Sequence, residues 1–269
     1  MKKTPQDFIV DSLTQMLTVL KNQDDYVGDM KKDEAYTYIL KSFCDKYSNS
    51  FYDTEHERIF NMYHSSLRLC DIEHFGKTVF ISKKAYEKIH DPNLKENFEN
   101  YRSNSNTKNK SFGAYFHKEL GLYFEHLTPM SQPRKRLVEI SKSNETITKA
   151  DVEECFKYSA LALITKDESK SLDGENCFVT DIDWNTLTEL KMNFPGLVDD
   201  FSIEYAEKLN DTNTEITKRR LRDNGNGLIR IVHMVNSGIN FVDKNGNELQ
   251  PEELVKRLND FTFILDQFG

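Results

Sequence analysis

A carboxylate and an imidazole stand side by side at Glu125-His126, where the apolar run Leu122-Tyr123-Phe124 ends and Pro129 is about to turn the chain. A carboxylate can hold a divalent metal such as Mg or Mn, and a neutral imidazole can take a proton from water. Arg134, Lys135 and Arg136 follow directly and supply positive charge. The backbone N–H groups of a helix starting near 133–136 would add to the attraction for a phosphate. Together these are parts of a site that hydrolyses phosphodiester bonds. Neighbours in a regular strand point to opposite faces; the expectation is that the proline turn relaxes this alternation, so that Glu125 and His126 reach one cleft. The same residues also admit a structural reading, in which His126 bonds a backbone group at a turn and Glu125 is solvated or paired with an Arg of the following helix.

Glu125-His126-x-x-Pro129-x-Ser131 resembles the opening half of the HNH (His-Me finger) nuclease motif. The resemblance implies that Glu125 binds the metal and that His126 is the general base. It spans seven residues, and the second half of the motif has no counterpart beyond Asn144 as a middle residue. A second acid for the metal would come from Glu119 or Asp181, with His117 as a helper to His126.

Other constellations point elsewhere. Asp181, Asp183 and Glu189-Leu190-Lys191 have the letters of a restriction-type acidic core, although the stretch 184–193 has helical rather than strand spacing. Asp181 and Asp183 equally suit turn and N-cap positions. His56, His64, Cys70 and His74 offer zinc-ligand atoms, but only Cys70-x-x-x-His74 has the tight spacing that structural zinc prefers, which disfavours zinc. Lys218, Arg219, Arg220 and Arg222 are the densest basic run. They form either a solvated helix surface or a phosphate-contacting face. His233, inside an apolar run, reads as a core residue. No Gly-x-Ser-x-Gly elbow, dinucleotide fingerprint, phosphate loop or kinase signature is present.

These residues must be positioned by a folded chain. The 18 Phe and 12 Tyr supply a core despite only 38% hydrophobic residues, because each aromatic buries a large area. The net charge of −8 argues against a polycation wrapped in nucleic acid, while leaving room for a local basic patch. It equally suits an acidic surface that binds a basic partner. Four scattered cysteines without a Cys-x-x-Cys pair read as apolar packers in a reducing cytoplasm. The N-terminus reads as an amphipathic helix rather than a signal peptide, and no apolar run is long enough for a membrane helix.

Periodicity predicts helices at 6–21, 33–47 and 54–69, hence a helical N-terminal unit. Strands are expected at 78–82, 121–127, 160–165 and 177–182. Helices are expected at 83–90, after Pro133, after the capping pair Thr148-x-x-Asp151, at 184–193, 197–210 and 212–223, and after Pro251. Asn245-Gly246 marks a hairpin turn. The fold class is α+β, helix-rich with short strands and hairpins. The polar stretch 102–111 divides an N-terminal part, 1–101, from a C-terminal part, 112–269. The functional expectation is a cytoplasmic metal-dependent nuclease of restriction or phage-defence type. The alternative is a non-catalytic acidic protein that inhibits or regulates a basic or nucleic-acid-binding partner.

Overall fold

The computed structural model describes residues 5–22, 26–27, 30–31, 40–47, 50–53, 58–62, 66–75, 79–104, 110–128, 130–156, 159–173, 230–231, 234–235, 237–250, 253–254 and 256–258. The expected elements at 177–182, 184–193, 197–210 and 212–223 lie outside them.

The fold is α+β, built around a four-stranded mixed sheet. In chain order the elements are α1 (Pro5–Lys21), β1 (Tyr26–Val27), β2 (Met30–Lys31), β3 (Ser50–Asp53), β4 (Arg58–Asn61), a 3₁₀ turn (Leu69–His74) and β5 (Phe80–Ser82). Then come α2 (Lys83–Ile89), α3 (Leu94–Asn104), α4 (Phe112–Lys118), β6 (Leu122–His126), α5 (Ser131–Ser143), α6 (Lys149–Cys155), β7 (Leu161–Thr165), α7 (Lys166–Asp173) and β8 (Phe241–Val242). The sheet order is β6-β7-β5-β8. β5 and β7 run parallel, and β6 and β8 flank them antiparallel.

The two central strands are apolar almost throughout, as strands covered on both faces must be. Their pleat divides side chains between two layers. Phe80 and its partner Ala162 face a cluster with Ile164, Leu172, Ile231 and Phe241. Ile81 and Leu163 face the other cluster, with Ala85, Phe75, Phe116 and Leu122. There Phe124 stacks on Phe116 and meets Phe75 edge-on, both at 5.5 Å, which fixes α4 against β6. Pairs of this kind are worth about 0.5–1.5 kcal/mol beyond their burial.

A third cluster is helical. Leu13 and Leu17 of α1 pack with Leu40 and Cys44 of the helical residues 40–47, with Leu137 of α5 and with Val152 of α6. Lys21 Nζ donates to the backbone oxygens of Asn144 and Glu145, and Lys149 pairs with Asp11. The expected boundary at 102–111 does not separate these clusters, since the helical one joins α1 to residues 137–156. Residues 102–104 of that polar stretch continue α3 as helix. Burial pushes the Cys44 and Cys155 thiols up to about 12, so both behave as inert apolar packers; Cys70 is exposed.

The helix expected at 54–69 is not formed. Residues 58–61 are strand β4, paired antiparallel with β3 in register Ser50↔Asn61, and the 3₁₀ turn occupies 69–74. Ile59 and Phe60 fit either period, and pairing with a neighbouring strand decides between them. The first 70 residues thus carry two small hairpins beside their helices. The capping box at Thr148 and Asp151 forms as the spacing predicts. So does the hairpin at Asn245-Gly246: Gly246 takes φ +84, Val242 bridges Glu248, and Asp243 accepts from the Asn245 and Asn247 amides. No helix among the described residues is long and apolar enough to cross a membrane.

Candidate functional site

Among the described strands β6 lies at the edge of the sheet, and its side chains are buried at Leu122 and only half-buried from Tyr123 to His126. The ladder with β7 continues through its last two residues, Glu125↔Ala162 and His126↔Leu161, and the Leu127 amide still donates to Ala160 O at 3.0 Å. The strand pairing therefore runs through both residues, and the pleat is kept. Glu125 and His126 project to opposite faces, contrary to the expectation of a shared cleft.

On one face the Arg230 Nη2 donates to Glu125 Oε1 at 2.8 Å. Arg230 is 10% exposed and Glu125 31%. Ile231, the next residue, belongs to the apolar cluster on this side. His117, on α4, packs edge-on against Tyr123 with ring centroids 4.5 Å apart. Tyr123 shares a face with Glu125, so this contact sets His117 against the residue that precedes Phe124 on the Glu125 side of the strand.

On the other face His126 is half-buried, and burial holds its pKa below the ordinary imidazole value; the Glu125 and Asp45 carboxylates offset this only in part. The ring is thus kept neutral at physiological pH. Asp45 lies within 40–47, and its field acts on Cys44 together with that of Arg134. Arg134 sits in the first turn of α5, its Nε donating to Met130 O at 2.9 Å. Asp45 is therefore within electrostatic reach of both His126 and Cys44, and Arg134 within reach of Cys44, where the strand end meets the helical cluster. Lys135 is exposed, while Arg136 is half-buried with its charge felt at Cys155. Gln132 and Thr128, both buried, add polar groups to this junction.

Of the two second acids expected from the sequence, only Glu119 is among the described residues, and it is placed away from Glu125. Glu119 caps the C-terminus of α4, on the far side of Leu122, and its charge acts on Tyr115. Leu122 and Glu125 are three steps of extended strand apart, at about 3.3 Å per step. Asp181, Lys218, Arg219, Arg220 and Arg222 lie outside the described residues, as do Glu189, Lys191, His56, His64 and His233. Among the described residues, no group of three or more His, Cys, Asp or Glu side chains is arranged to hold a metal ion. The described donors thus do not assemble a Mg or Mn site around Glu125, whose carboxylate is engaged by Arg230.

A second polar assembly lies at the ends of the central strands. Ser82 and Thr165 end the two parallel strands, and each opens a helix. The Ala85 amide donates to the Ser82 hydroxyl, which donates to Glu168 Oε2 at 2.7 Å. The same oxygen accepts from the Thr165 amide at 2.8 Å and the Thr165 hydroxyl at 3.0 Å. Thr165-x-x-Glu168 is a capping box, a signal that its spacing alone could have revealed. Asp45 and Arg230 carry no such local signal. A groove of about 730 Å³ lies near this assembly, between Lys84, Lys88, His90, Asp91, Thr165 and Asp167. Its mixed charges select no one ligand, and it does not include the residues at the end of β6.

No family model matches the chain, no curated protein matches it, and no solved structure matches it.

Proposed function

We propose that the chain hydrolyses phosphodiester bonds in nucleic acid, with His126 as the general base. The observation that supports this reading is the environment of His126: a half-buried imidazole at the end of β6, kept neutral by burial, with the Asp45 carboxylate within electrostatic reach of it. A base must be unprotonated at the working pH, and a neighbouring carboxylate stabilises the imidazolium formed when it takes a proton from water. Arg134, Lys135 and Arg136 offer charge-assisted hydrogen bonds to phosphate oxygens. The acidic chain would then hold its substrate through this local basic segment. The setting we propose is cytoplasmic, of restriction or phage-defence type. A divalent metal remains part of the proposal as an assay variable, with Asp181 the acid to test for it; the roles of His126, Asp45 and Arg134 do not depend on one.

The test is incubation of the pure chain with plasmid, single-stranded DNA and RNA, each with Mg²⁺, with Mn²⁺ and with EDTA. The expected result is cleavage that His126→Ala abolishes and Asp45→Asn reduces. General acid–base assistance of this kind contributes on the order of 10²–10⁴ in rate. Cleavage left intact in His126→Ala, or no cleavage of any substrate, would refute the reading.

The net charge of −8 favours a second reading, a non-catalytic protein that uses its acidic surface to bind a basic partner. In that case His126→Ala leaves partner binding unchanged, and removal of surface acids weakens it in a salt-dependent manner.

A further inference from the structure

We propose that Arg230 is a phosphate-binding residue that Glu125 occupies in the free chain, and that a nucleic-acid phosphate displaces Glu125 from it. The phosphodiester comes from the nuclease reading, on which this inference rests; what is added is the residue that receives a second phosphate, on the other face of β6.

Three observations carry it. First, Arg230 is nine-tenths buried while its partner carboxylate is nearly one-third exposed. The guanidinium is fixed in the wall, and the group that covers it faces solvent. Second, the pair is a single contact, Nη2 to Oε1 at 2.8 Å, and Arg230 Nε is buried with no hydrogen-bond partner among the described residues. A guanidinium carries five N–H donors in a planar fork suited to two parallel bonds to one anion. Glu125 therefore uses the fork incompletely, and a buried donor is left unsatisfied at a cost. A phosphate has more acceptor oxygens, and can satisfy Nε as well as the Nη groups. Third, Glu125 and His126 are adjacent at the end of an edge strand and project to its two faces. A nucleic-acid backbone passing around that edge presents one phosphate to Arg230 while its neighbour lies at His126. Arg230 is then a positioning residue, and Glu125 is a stand-in for the phosphate.

The stand-in role sets the sign of the effect. A carboxylate that competes with substrate lowers apparent affinity by the fraction of time it occupies the site. Glu125→Gln keeps the shape and one acceptor oxygen but removes the competing charge. The experiment measures binding of a fluorescein-labelled single-stranded DNA oligonucleotide to the full chain in EDTA, by anisotropy, with inorganic phosphate as competitor. Glu125→Gln is expected to bind about tenfold more tightly than the parent, and Arg230→Gln more weakly by a similar factor. Arg230→Lys retains the charge without the fork and is expected to fall between them. Unfolding midpoints of all three confirm that they fold. Unchanged or weaker binding by Glu125→Gln overturns the proposal, because a metal-ligand or merely structural Glu125 gives one of those results. The two readings fail separately. Tighter binding by Glu125→Gln without cleavage by the parent leaves the phosphate site and removes the nuclease. Cleavage that depends on His126, with no effect of Glu125→Gln on binding, does the reverse.

Discussion

Glu168 is the point at which the sheet and two helices are tied together, and its removal should be costly. The residue is 6% exposed, and its Oε2 takes three hydrogen bonds, from the Ser82 hydroxyl, the Thr165 amide and the Thr165 hydroxyl. Glu168→Ala leaves those donors buried without an acceptor and opens the N-terminal cap of α7. Bonds to a charged acceptor are worth about 1.5–3 kcal/mol each and a cap about 1 kcal/mol, but bonds sharing one oxygen do not add fully. The expected loss is about 3–4 kcal/mol, a large part of the 5–15 kcal/mol that typically holds a domain together. For a chain of this size that is a fall in Tm on the order of 10 °C. Glu168→Gln keeps an acceptor oxygen and should lose about 1–2 kcal/mol. Ser82→Ala should also lose about 1–2 kcal/mol, since it removes one of the three bonds together with the cap of α2. The double variant should lose less than the sum, because once Glu168 is gone the Ser82 hydroxyl is itself an orphan. Urea unfolding followed by far-UV circular dichroism measures the parent and these variants. A Glu168→Ala variant within about 0.5 kcal/mol of the parent, the range of an ordinary surface change, or strictly additive losses, would refute the reasoning.

Two further outcomes follow from single sites. Gly246 sits at φ +84, and a Cβ there would lie 2.8 Å from the Tyr86 ring, which stacks on His90. Gly246→Ala should destabilise by about 1–2 kcal/mol, mostly from the left-handed backbone, and the loss should persist largely intact in a Tyr86→Ala background. Urea midpoints of the single and double variants check this. The pKa of His126 is lowered in the folded state, so the unfolded chain binds more protons and stability rises with pH across the window between the two values. The parent should therefore lose stability as pH falls below about 6.5, through the folded value. His126→Gln lacks that component, so its stability gap from the parent should differ between pH 8 and pH 5, the parent losing ground at the acid end. A gap independent of pH counts against the burial of this ring.

The features legible in the sequence are local. β6 and β7 are short apolar runs with turns or caps at their ends, and the Thr148 box and the Asn245-Gly246 turn each lie within a few residues. Their energies depend on neighbours along the chain, so their spacing identifies them. β4 is ambiguous because Ile59 and Phe60 satisfy a helical stripe as well as a strand, and only pairing with 50–53 decides. The polar stretch after residue 101 has the composition of a loop, yet Leu94 and Phe98 anchor α3 firmly enough for helix to run through Asn104. The candidate site is less legible for the same reason. Glu125 and His126 stand out, but the groups that set their chemistry do not: Arg230 lies 105 residues away, and Asp45 is one acid of a helix with nothing to mark it.

The placement of polar groups nonetheless follows a rule that connects sequence to site. A sheet covered on both faces can keep polar side chains only at its edges and strand ends, because elsewhere they lose water without gaining partners. Here Ser82 and Thr165 end the two central strands, and Glu125 and His126 end the edge strand. The first pair is closed on itself through Glu168, with both hydroxyls and the Thr165 amide matched. The second is not: Glu125 meets one nitrogen of Arg230, and another nitrogen of that guanidinium lacks an acceptor among the described residues. A polar cluster that serves only stability gains by matching its groups, as the Glu168 assembly does. The unmatched one at the end of β6 is therefore where an incoming anion has most to gain.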